Sequence, residues 1–168
     1  MWRIRYFFEG VKNIIRWIPV IFKDKDWDQN FIYEILKTKI KHQAKYIGGK
    51  NRHLSSKRDS EKMMLCYRLI DKAQEDYYGS EWFEYYSSKI NVVPVKNKSN
   101  GYELTVTEIS ERFSEYFEKY PRIYNQVNSK YNTLTNKEKA ILISNINAAR
   151  CNKIVFKLIE TEINNWWD

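Results

Sequence analysis

Three aspartates alternate early in the chain, at Asp24, Asp26 and Asp28. Alternating carboxylates open calcium-binding loops, but such a loop also needs a glycine at its sixth position and a bidentate glutamate at its twelfth. Gln29 and Ile35 stand there instead. The aspartates are better read as acceptors for the bare N–H groups at a helix start, and no metal is assigned to them. His53 with Asp59, and Glu160 with Glu162, have the types and spacing for acid–base work. The sequence contains no glycine-rich phosphate loop, Gly-x-Ser-x-Gly elbow or His-Glu-x-x-His helix. Catalysis, a small nucleotide-acting enzyme included, is therefore the weakest of the functional readings.

Binding chemistry is better represented. Lys37, Lys41 and Lys45 recur every four residues, and Lys50, Arg52, Lys57 and Arg58 follow. On one helix face such a row could track nucleic-acid phosphates. A second arrangement uses tryptophans: Trp27, Trp166 or Trp167 stacks on a base while Arg52, His53, Arg58 or Arg150 holds phosphate. Both readings draw on an uneven charge. The 168-residue chain carries +8, and the excess lies in residues 1–58, with 14 Lys and Arg against 5 Asp and Glu. An anionic partner is the natural complement of that asymmetry.

No cofactor is expected. Cys66 and Cys151 are far apart, and with His42 and His53 they do not form a zinc spacing. They read as buried, reduced small hydrophobes, which suits the cytoplasm. The apolar residues near the N-terminus are interrupted by Arg3, Arg5, Glu9, Lys12 and Arg16. That argues against a spanning helix or signal peptide, and the preferred reading is a core helix rather than one lying on a membrane.

The elements that would position these residues are mostly helical, since only 5 Gly and 3 Pro punctuate the chain. A first helix carries Ile4, Phe7, Phe8, Val11, Ile14, Ile15 and Ile18 on one face and is stopped or kinked at Pro19. A second begins near Asp26 or Asp28, carries Trp27, Phe31, Ile32, Ile35, Leu36, Ile40, Ala44 and Ile47 on its inner stripe, and ends at Gly48-Gly49 in a left-handed cap. A third starts at Ser56 and turns Met64, Tyr67, Ile70, Ala73 and Tyr77 inward, with Gly79 interrupting it. Residues 91–106 read as a short β-hairpin or loop. A fourth helix opens at Thr105 or Thr107 and is kinked or divided at Pro121. The last opens with the Thr135/Glu138 capping box and runs almost to Trp166-Trp167. The expected fold is mainly α, an irregular bundle of five or six helices forming a single domain over residues 1–168. First and last helices should pack together, bringing Trp27 near Trp166.

The segment Trp17-Ile-Pro-Val-Ile-Phe-Lys-Asp-Lys-Asp-Trp-Asp28, the following Ile35-Leu-Lys-Thr-Lys39, part of the third helix from Arg58 to Asp71, and the closing Phe156-Lys-Leu-Ile-Glu160 with Trp166-Trp-Asp168 resemble a family of small uncharacterised bacteriophage-encoded proteins. That family carries no assigned activity, so no functional residue transfers. The resemblance implies a phage product working in the host cytoplasm. The combined expectation is a non-catalytic binding protein that engages a host factor or sequesters a nucleotide-like anion. A nucleic-acid-binding accessory role is the alternative. The aromatic surplus also makes self-association an expectation.

Overall fold

The computed structural model describes residues 2–23, 30–49, 53–94 and 101–167, the side chains of Trp2, Arg3 and Trp167 excepted. Asp24, Asp26, Trp27, Asp28, Lys50, Arg52 and the tip of the hairpin, residues 95–100, lie outside the described residues. The fold is mainly α with a hairpin insertion. Among the described residues there are seven α-helices and one antiparallel two-stranded ribbon: α1 (Trp2–Ile21), α2 (Asn30–Gly48), α3 (Ser56–Gln74), α4 (Tyr77–Ser80), β1 (Tyr86–Pro94), β2 (Tyr102–Glu111), α5 (Phe113–Lys119), α6 (Pro121–Lys130) and α7 (Asn136–Glu162). Short 3-10 turns cover Glu81–Tyr85 and Asn165–Trp167. The chain divides into two compact units, Met1–Glu75 with Ile154–Asp168, and Asp76–Lys153.

The first unit is built on α2 and α3. Ile40, Ala44 and Ile47 of α2 meet Met63, Cys66 and Ile70 of α3, and Val155 and Trp166 close the cluster. Each set follows helical spacing, so each helix gives one stripe to the core; the α2 stripe is shorter than expected, because Ile32 and Ile35 are exposed and burial begins at Ile40. The α3 stripe sits one residue off the expected one: Met63 and Cys66 are buried, while Met64 and Tyr67 pack at the margin. Adjacent apolar residues on a helix leave that choice to the neighbour. Gly48 takes no left-handed conformation, contrary to expectation. Its role is close approach, since a Cβ there would lie 2.6 Å from Ser60 Oγ, and Ser60 Oγ donates to the Ala44 carbonyl at 3.0 Å.

Among the described residues the buried cluster does not show the expected packing of first against last helix, and Trp27 lies outside them. Val155 and Trp166 close on α2 and α3 instead, and the buried cluster contains no α1 residue. Ile4, Phe7, Phe8, Ile14, Ile15 and Ile18 are exposed. Only Val11, Trp17 and Val20 of the described α1 side chains are half-buried. The pattern of α1 was legible, but its burial was not, because α2, α3 and the chain end already complete a core. Pro19 lies in the last turn, which closes with Phe22 N–H donating to Ile18 O at 2.9 Å.

The second unit gathers Trp82, Phe113, Tyr116, Phe117, Ile123, Val127, Ala140 and Ile143. Stacking of Phe117 on Tyr124, 4.3 Å between centroids, orders its aromatic side. Pro121 divides α5 from α6 and occupies the first helical position of α6, where its missing N–H costs nothing. The Thr135/Glu138 box forms: Thr135 N–H donates to Glu138 Oε2 at 2.8 Å, and Glu138 N–H to Thr135 Oγ1 at 3.3 Å. Ahead of this unit's core, α3 ends at Gln74 and Asp76 turns left-handed (φ 47°) before α4.

The hairpin is longer than expected and replaces the predicted helix start at Thr105 or Thr107. Those residues belong to β2, where alternating β-branched side chains favour pairing over helix. Ile90 pairs with Val106, Val92 with Leu104 and Pro94 with Tyr102, so one face is apolar. Lys89, Asn91, Glu103, Thr105 and Thr107 share the other face. Both strands are exposed along most of their length.

Candidate anion-binding groove between α1 and α2

Within the first unit, α1 presents Asn13, Arg16 and Trp17 along one edge, and α2 presents Lys39, His42, Gln43 and Tyr46. The offsets of three, four and seven residues put each set on one face of its helix. Together they line a groove of about 370 Å³, within the size range of small-ligand sites. Among the described lining residues three are basic by type and none is a carboxylate. Arg16 Nη1 donates to Asn13 Oδ1 at 3.3 Å, which orients the guanidinium. His42 has its pKa held below the ordinary 6.5 by burial and by the positive charges of Arg16, Lys45 and Lys41. It is therefore neutral at pH 7 and can donate from one ring nitrogen and accept at the other. Gln43 is buried, and its Nε2 is a buried donor with no partner among the described residues. A buried donor normally finds an acceptor, so this amide has capacity left for a ligand or a bridging water. Trp17 and Tyr46 add aromatic surface. A planar ring against the aromatics with an anionic group toward Arg16, Lys39 and Gln43 uses each of these properties.

The residues singled out from the sequence are placed differently. Trp166 is 2% exposed and belongs to the core, so it is not available for stacking. Arg150 is exposed on α7 in the second unit. His53, Lys57 and Arg58 come together at the start of α3, where the chain folds back on itself. Ser56 Oγ donates to His53 O at 2.6 Å and accepts from His53 N–H at 2.8 Å. His53 Nε2 lies 3.0 Å from Asp59 Oδ2, and Arg58 Nε donates to Asp59 Oδ1 at 3.1 Å. Asp59 is 1% exposed. Burial opposes its ionisation, but hydrogen bonds from Ser55, His53 and Arg58, with the Arg58 charge, outweigh that and take its pKa below the usual carboxylate value. With both oxygens engaged, Asp59 anchors the loop rather than accepting a substrate proton.

The lysine row does not stay on one solvated face. Residues four apart drift by about 40° per step around a helix, so the row wraps toward α3. Lys37 Nζ reaches Glu34 Oε1 at 2.9 Å, Asp71 Oδ1 at 3.0 Å and Gln74 Oε1 at 2.6 Å. Although burial lowers its pKa, the bonds to Glu34 and Asp71 leave it raised. Lys41 Nζ donates to Tyr67 OH at 3.3 Å and sits over that ring. Lys45 and Lys57 line a separate surface depression with Ser60 and Glu61.

Trp17, Arg16 and His42 carried a sequence signal that the charge count obscured. The two α1 residues sit at the border of an amphipathic face, and His42 shares a helical face with Lys39 and Tyr46. Their pairing across helices is tertiary and leaves no spacing to read. Among the described residues, no group of three or more His, Cys, Asp or Glu could hold a metal ion. Comparison with protein-family models, curated proteins and solved structures returns no match.

Proposed function

We propose that this is a non-catalytic binding protein that captures a small anion bearing a planar ring, of the nucleotide type, in the groove between α1 and α2. The observation that carries the reading is the buried Gln43 amide, without a hydrogen-bond partner among the described residues, in a groove whose described charged lining is basic and whose walls include Trp17 and Tyr46. The resemblance to phage-encoded proteins supplies a context in which sequestering a host ligand or occupying a host factor is useful. Titration calorimetry of the full chain with AMP and ADP tests it. Binding is expected, weakened about tenfold by Arg16→Gln, the loss of one charge-assisted hydrogen bond. Trp17→Leu weakens a nucleotide but not inorganic phosphate. No heat with either nucleotide, or equal heat with all three proteins, refutes the reading.

The nucleic-acid alternative draws on Lys45 and Lys57, while the engagement of Lys37 by Glu34 and Asp71 removes one cation from the expected track. Steeply salt-dependent binding to arbitrary DNA, lost in Lys45→Gln/Lys57→Gln, would favour it.

A further inference from the structure

The far side of α1 from the groove is apolar and uncovered. Ile4, Phe7, Phe8, Ile14, Ile15 and Ile18 form a continuous stripe, with Phe7 68%, Phe8 59% and Ile14 63% exposed. A 20-residue helix is about 30 Å long, so the stripe is large compared with the scattered apolar residues of an ordinary surface. Its polar flank is cationic: from Trp2 to Lys23 there are five Lys and Arg and the single acid Glu9, which pairs with Arg5 at 3.2 Å. No described helix is long and apolar enough to cross a membrane.

We propose that α1 lies flat in the interface of an anionic lipid bilayer. Its apolar stripe would enter the acyl boundary, while Arg5, Lys12 and Lys23 sit at headgroup level and Arg16 stays on the groove side. The occupant follows from charge. A helix with bulky apolar residues on one side and basic residues beside them matches the interfacial pattern, and each cation near a negative surface adds attraction. A second copy of α1 packed antiparallel fits worse, because facing stripes would bring the flanks holding Arg5 and Lys12 together as like charges. The wide run of Phe and Ile contains no small or polar residue that would key it to one protein groove.

The test is co-sedimentation of the full chain with vesicles of phosphatidylcholine alone and of equal parts phosphatidylglycerol and phosphatidylcholine. The protein should pellet with the anionic vesicles, with affinity at least about tenfold above that for neutral ones, and lose affinity as salt rises. Phe7→Ser/Ile14→Ser should lower binding by about tenfold or more, and Lys12→Gln by about fivefold. These side chains are already exposed, so circular dichroism and the melting temperature should not change. Failure of the wild type to pellet with anionic vesicles overturns the proposal. So does equal pelleting of wild type and Phe7→Ser/Ile14→Ser. A stable dimer by light scattering that Phe7→Ser/Ile14→Ser converts to monomer also overturns it, as would capture of the stripe by an acidic protein without vesicle binding.

Discussion

Replacing Asp59 should unpin the start of α3 and leave any chemistry elsewhere untouched. Three groups use its carboxylate: His53 Nε2 at 3.0 Å, Arg58 Nε at 3.1 Å and Ser55. They do not count equally. The Arg58 side chain is 67% exposed, so its pair with Asp59 is worth at most about 0.5–1 kcal/mol. The contact with His53 is inside, and a hydrogen bond to a charged group there is worth about 1.5–3 kcal/mol. Asp59→Asn keeps the shape and one acceptor oxygen, so a loss of about 2 kcal/mol is expected. Asp59→Ala also strands the buried partners and should cost about 3–4 kcal/mol. His53→Ala should cost about 1–2 kcal/mol, and in the double variant the two losses should overlap by about 1–2 kcal/mol. Urea unfolding at neutral pH measures all four variants, read from the midpoint at constant slope. The sign of the pH dependence follows from the lowered pKa. The folded chain holds Asp59 ionised to lower pH than the unfolded chain does. Its contribution is therefore complete above the ordinary aspartate pKa and is lost as pH falls through the lower, folded value. Additive losses for Asp59→Asn and His53→Ala, with no overlap, would refute the idea that the two act as one pin.

Other outcomes test the rest of the structure. His42, with its pKa held below 6.5 in the folded chain, takes up a proton more readily when unfolded, so stability should decline as pH falls below about 6.5. His42→Gln should flatten that decline in urea midpoints measured between about pH 5 and 8. Glu81 has a fully buried side chain bound to Lys119 Nζ and, at 2.6 Å, to Tyr120 OH. Glu81→Ala should cost about 1–3 kcal/mol by urea unfolding, because it leaves the Tyr120 hydroxyl without its acceptor while the 43% exposed Lys119 side chain can turn to water. Gly48→Ala should force Ser60 off the Ala44 carbonyl and cost about 1 kcal/mol or more; adding Ser60→Ala should recover only a small part, read by thermal melting, because Ser60 Cβ still lies 2.9 Å from the added Cβ.

Local chemistry was readable from the sequence where the answer is local. The Thr135/Glu138 box, the division at Pro121 and the presence of a hairpin all follow from side chains acting on their own backbone. The continuation of β2 past Val106 was missed because Thr107 and Glu108 suit a helix cap as well as a strand, and only pairing with Lys89 and Ser88 decides between them. The stripe of α1 was correct in pattern and wrong in placement, since an amphipathic helix looks the same whether its apolar side meets a core or lies uncovered. The candidate groove was the least legible feature. Arg16 and His42 lie 26 residues apart, and nothing in either neighbourhood indicates that they share a wall.

The ribbon of β1 and β2 carries a thermodynamic debt. Its dry ladder of Ile90, Val106, Val92, Leu104 and Tyr102 faces water, and two-stranded ribbons are only marginally stable in that solvent. Its amides beyond Ser88 should therefore exchange hydrogen early, long before those of α3 or α7, despite being bonded across the strands. Slowing of that exchange would then act as a built-in gauge: it reports the moment when something dries the ladder, without knowledge of what has arrived.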